Sequence, residues 1–73
     1  MKTLTSREMV RMLLERGWYE HSQNGSHRKF KHPSDPRLRA IVPIHPGETL
    51  TPGVQHSIMR VAGISYEEIV NRA

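Results

Sequence analysis

Asn24-Gly25-Ser26-His27-Arg28-Lys29-Phe30-Lys31-His32 is the stretch whose reading decides the fold. Asn-Gly is the strongest short hairpin signal, because both residues tolerate positive φ. A turn at Asn24-Gly25 therefore delivers the chain into a returning strand over residues 26–32. Side chains alternate across a strand, so Arg28 and Phe30 share one face while His27, Lys29 and Lys31 share the other. Phe30 is the only large apolar residue of the run, which makes its face the buried one. The imidazole and two ammonium groups then stand together in solvent. Arg28 reaches the rim of the buried face or snorkels past it.

On the N-terminal side, Trp18 to Gln23 is aromatic at its start and then polar. Before it, Thr5 and Glu8 have the spacing of a capping box, and Leu4 and Met9 that of a hydrophobic staple. Met9, Val10, Leu13 and Leu14 recur at helical spacing, and Gly17 is a natural left-handed stop. These signals predict a helix over 6–16, with Trp18 in the core. On the C-terminal side, Pro33-Ser34-Asp35-Pro36 reads as a loop. Residues 38–44 form a third strand, with Leu38, Ala40, Val42 and Ile44 on one face and Pro43 marking its end or an edge. A second loop, His45-Pro46-Gly47-Glu48, leads to Thr51-Pro52, an N-cap with proline at the first helical position. Val54, Ile58, Val61 and Ala62 form an apolar stripe that ends at Gly63. Ser65 and Glu68, with Ile64 and Ile69, then cap a short helix over about 66–71. The order is α-β-β-β-α with a short terminal helix. This is an α+β architecture, a three-stranded antiparallel sheet with its helices on one face.

The chain has 73 residues. That length predicts a single domain over 1–73 that buries roughly 60% of its unfolded surface and has no deep pocket. Eleven Lys and Arg against seven Asp and Glu give a formal charge of +4, a balance that suits phosphate polyanions or an acidic protein partner. The absence of cysteine excludes disulfides, thiolate-bound zinc and cysteine nucleophiles. No apolar stretch reaches membrane-spanning length, and Met1-Lys2-Thr3-Leu4 lacks the apolar region of a signal peptide, so cytoplasmic residence is expected. The five histidines show no HExxH or paired His–carboxylate spacing, so neither a metal site nor another cofactor is expected.

Histidine is the side chain that both takes and gives protons near neutral pH. A strand that carries His27 beside Arg28, Lys29 and Lys31 suits a phosphate polyanion such as RNA. Taken alone, an exposed strand histidine is more often an ordinary surface residue than a catalyst. Ser26 and Gly25 are explained by the turn, although Ser26 also suits a contact to the imidazole or to phosphate. His45 shares odd parity with Arg39 on the third strand, which makes it a second proton donor or an organiser of its loop, with the loop role favoured.

The sequence resembles the HicA family of toxins from toxin–antitoxin systems. The matching elements are Leu13-Leu14-Glu15-Arg16-Gly17-Trp18, Gly25-Ser26-His27, Phe30-Lys31-His32-Pro33, Val42-Pro43-Ile44-His45, Leu50-Thr51-Pro52-Gly53 and Ile58 to Ile64. The resemblance implies a fold similar to double-stranded RNA-binding domains and an endoribonuclease that cleaves messenger RNA and arrests growth. It implies His27 as the catalytic residue and neutralisation by a HicB-like antitoxin, the chain being a monomer alone and part of a hetero-oligomer with that partner. Arg28 departs from the family pattern, where another histidine or an apolar residue is frequent. The fold alone does not separate this enzyme from a non-catalytic RNA-binding module or a domain that docks an acidic protein.

Overall fold

A computed structural model describes residues 1–72. The elements are α1 (Ser6–Glu15), β1 (Tyr19–Asn24), β2 (His27–His32), β3 (Asp35–Pro43), α2 (Pro52–Ala62) and α3 (Tyr66–Val70). The strands form one antiparallel sheet in the order β1-β2-β3, so β2 is central. The fold is thus α+β, with the α-β-β-β-α order expected.

Both capping boxes form. The Thr5 hydroxyl accepts from the Glu8 N–H at 3.1 Å, and the Glu8 carboxylate accepts from the Thr5 N–H at 2.9 Å. Ser65 and Glu68 do the same for α3. Each cap supplies partners for amides that the first helical turn leaves without one, a contribution of about 1 kcal/mol. Leu4 with Met9, and Ile64 with Ile69, are buried as the staples require.

The core lies between the helices and one sheet face. Phe30, Ala40 and Val42 supply the sheet side, with Phe30 opposite Ala40 across the β2–β3 ladder. Met9, Met12 and Leu13 of α1, Trp18, and Ile58 and Met59 of α2 close over them. Full burial of Phe30 contributes about 1.5–3 kcal/mol. Leu14, counted in the apolar repeat of the first helix, is exposed.

Several boundaries differ from the sequence reading: α1 stops one residue short of 16 and β2 starts at His27, one residue later than expected. The tight turn is Gly25-Ser26, because Asn24 pairs with His27 as the last residue of β1. Gly25 takes φ +61° and Ser26 does not have positive φ, so the turn is of the kind that needs glycine only at its first central position. The third strand starts at Asp35 and stops at Pro43, where 38–44 was expected. Its ladder is regular from Arg39 to Pro43. His32 then pairs with Asp35, which leaves Pro36, Arg37 and Leu38 as an irregular bulge on the edge strand. Proline cannot donate to a ladder, and an edge bulge tolerates it. A second irregularity falls at His21, between Glu20 and Ser22 of β1.

Two buried polar residues tie the elements together. Gln55 of α2 accepts from the Leu4 N–H at 2.6 Å and donates to the Lys2 carbonyl at 2.8 Å. Ser6 of α1 donates to the Pro43 carbonyl at 2.6 Å. These contacts pin the N-terminal segment to α2 and the start of α1 to the end of β3. The short bridge between Thr5 and Thr49 runs beside them.

Candidate functional site

The alternation of β2 places His27, Lys29 and Lys31 on the face away from the helices. His27 opens the strand, facing Asn24 on β1 and Pro43 on β3. Lys29 sits between Ser22 and Ile41, and Lys31 between Tyr19 and Arg39. The faces agree with the parity argument because burial of Phe30 fixes the strand's rotation, whatever the position of the turn before it.

An open groove of about 430 Å³ runs along this face, lined by Ser22, Asn24, His27, Lys29 and Ile41 together with Gln23. His27 is exposed, and its ring has no hydrogen-bond partner among the described residues. Lys29, Lys31 and Arg39 have no carboxylate partner among the described residues either. The groove therefore joins an unengaged imidazole to uncompensated positive charge, which is what an approaching phosphodiester needs. Ser26 is exposed in the turn beside His27, and its carbonyl accepts from the Ile44 N–H at 2.6 Å. That bond ties the hairpin tip to the end of β3 and fixes the base of His27.

Arg28 does not join this face. Its guanidinium lies 5.4 Å from the centre of the Phe30 ring on the helix side and is bound to the Glu20 carboxylate, with its Nε at 2.6 Å. Glu20 faces Phe30 across the β1–β2 ladder, which brings it to the same side as Arg28. His45 lies past the end of β3. Its backbone N–H contacts the Ser6 hydroxyl at 3.4 Å, and its ring lines a different groove from His27.

The remaining β2 histidine serves the fold. His32 Nε2 lies 3.0 Å from the Arg16 carbonyl and donates to it, while Nδ1 accepts from the Ser34 N–H at 3.1 Å. Its ring meets Trp18 edge to face at 5.4 Å. The Ser34 hydroxyl also lies 2.8 Å from Nδ1. Sequence spacing gave no sign of the bond to Arg16, because a backbone carbonyl carries no sequence signature.

A larger groove, of about 660 Å³, lies elsewhere, between α1 and α3. All of its charged side chains except Glu67 are paired with one another. Arg16 binds Glu68 at 2.6 Å and the Gly63 carbonyl at 2.8 Å, and Arg72 grips Glu15 with two bonds at 3.0 and 3.1 Å. The Arg72 hydrogen bonds hold the Glu15 carboxyl below the usual carboxylate range, and the Ser65 amide does the same for Glu68. Charges spent on one another leave that groove little for a ligand. Among the described residues no three His, Cys, Asp or Glu side chains converge as a metal ion would require, and no helix is long and apolar enough to cross a membrane.

Comparison with known proteins shows one family. The family described as HicA toxin of bacterial toxin–antitoxin systems matches residues 6–64, from the start of α1 to the residue after α2's glycine stop. A search of curated proteins finds no match. The match covers most of the chain, including the whole sheet and both long helices, so the chain belongs to the HicA family of toxins, whose members work opposite an antitoxin.

Proposed function

We propose that this toxin is an endoribonuclease that cleaves messenger RNA in the cytoplasm without a metal ion, with His27 as the general acid or base. The observation that carries the reading is the unengaged His27 ring on the open sheet face, in one groove with Lys29 and beside Lys31. In the proposed reaction the 2′-oxygen attacks the adjacent phosphorus as its proton leaves. The bond to the 5′-oxygen breaks as that oxygen gains a proton, giving a cyclic phosphate and a free 5′-hydroxyl. His27 performs one of the two proton transfers. Lys29 and Lys31 offset the charge that grows on the phosphoryl oxygens, and Ser26 stands beside them at the hairpin tip.

His45, considered as the second proton-transfer group, lines a separate groove, and the second role is left to another group or to water. A HicB-like antitoxin neutralises the toxin by covering the cationic face, so the chain is a monomer alone and part of a hetero-oligomer with its partner. The competing reading, an RNA-binding module without catalysis, shares every feature except the use of the imidazole.

His27→Ala separates the two. Growth arrest and RNA cleavage should vanish while RNA binding persists, and undiminished cleavage by this variant would sink the assignment. Wild-type cleavage should also survive excess chelator; its loss would overturn the metal-independent chemistry.

A further inference from the structure

A second groove, of about 420 Å³, lies on the helix side of the sheet at the same end as His27. Val10, Ile44 and Pro46 give it an apolar floor, and Arg7, Arg28 and His45 stand around it. Arg7 and the His45 ring have no side-chain partner among the described residues, whereas Arg28 is held in place by Glu20. All three rim groups are planar, and two carry permanent positive charge. Planar guanidinium and imidazole groups stack on bases, and guanidinium binds phosphate. The volume falls within the range of small-ligand sites.

The groove is also close to His27. His27 faces Pro43 across the ladder at about 5 Å between Cα atoms. Two more residues bring the chain to His45, at most about 7 Å further. The Ser26–Ile44 and Ser6–Pro43 hydrogen bonds fix this corner from both sides. The groove is thus within reach of a single strand that rounds the end of β3 from His27.

Resting on the ribonuclease reading, we infer that this groove is a nucleotide subsite: it takes the base and phosphate of a nucleotide of single-stranded RNA next to the bond cut at His27. The apolar floor receives the base, and Arg7 and His45 hold its edges and the phosphate, while Arg28, already neutralised by Glu20, walls the groove. An acidic peptide would also meet the positive charge, but continuity with the His27 groove and a rim made of planar groups favour RNA.

The test uses the His27→Ala protein, which binds without cutting, and a labelled single-stranded RNA of about ten nucleotides. Adding Arg7→Ala and His45→Ala should weaken binding roughly ten-fold and reduce the slope of log affinity against log salt by about 0.7, the share of one phosphate contact. The thermal midpoint should not move, since neither side chain has a protein partner. Equal affinity and slope in the two proteins would overturn the subsite and leave the ribonuclease reading intact. No binding by the His27→Ala parent would overturn both. Loss of affinity for the antitoxin with RNA binding retained would overturn the subsite in favour of an acidic peptide.

Discussion

Strand β2 begins and ends in histidine, and the two could hardly be used more differently. His32 has both ring nitrogens engaged, one by the Arg16 carbonyl and the other by the Ser34 amide, and it packs against Trp18. His27 stands in solvent among groups it does not bind. They are five positions apart, an odd number, so the alternation of the strand sends them to opposite faces. A histidine whose nitrogens are spent on the backbone holds a fold together. One whose nitrogens are free in a cationic groove is available for proton transfer.

The largest expected effect on stability follows from His32. His32→Ala removes a half-buried ring, leaves the Arg16 carbonyl without its donor and the Ser34 amide without its acceptor, and should cost about 2–3 kcal/mol in denaturant unfolding. A variant as stable as the parent would erase the distinction between the two histidines. Gly17→Ala tests the same clip from its other side. Gly17 takes φ +90°, and an added Cβ would lie 3.1 Å from His32 Nε2, the nitrogen that donates to Arg16. The backbone strain alone should cost about 1–2 kcal/mol. Gly25→Ala meets no neighbour, so a clearly larger loss at Gly17 is expected.

The smallest effect leaves both histidines aside. Glu8, Glu15, Asp35 and Glu68 are all held below the usual carboxylate range, by the Thr5 amide, by Arg72, by Arg37 and by the Ser65 amide respectively. Carboxyls depressed in the folded state bind fewer protons there than in the unfolded chain. Their contribution is complete above the ordinary carboxylate range and is lost as pH falls through it towards the lower folded values. These groups are largely exposed, so acid titration of the unfolding midpoint should show a modest decline in that window and none between pH 6 and 8 from this source. A midpoint that rises on acidification would contradict the assigned bonds.

Much of the architecture was legible in the sequence because it is written in local chemistry. Thr5 with Glu8, Ser65 with Glu68 and the proline after Thr51 mark helix starts through bonds made within one turn. Phe30, as the only large apolar residue of its strand, sets the faces of β2 and so places His27 with Lys29 and Lys31. The turn was misplaced by one residue, since Asn24-Gly25 and Gly25-Ser26 differ only in which pair closes the hairpin. Parity did not suffer, because it depends on Phe30. What stayed hidden rests on partners distant in sequence. Gln55 meets Leu4 and Lys2, Ser6 meets Pro43, and His32 meets Arg16. Alternation already sends Arg28 to the Phe30 face; its partner Glu20, brought opposite Phe30 by the β1–β2 register, is what the sequence does not show.

The most direct measurement compares single-turnover cleavage of RNA by His27→Ala and His32→Ala at equal concentrations of folded protein. The account predicts a loss of about 10²–10⁴-fold for His27→Ala, the usual share of a proton-transferring group, and a rate close to wild type for His32→Ala. A folded His32→Ala protein as inactive as His27→Ala, or a His27→Ala protein that cleaves at the wild-type rate, would contradict it.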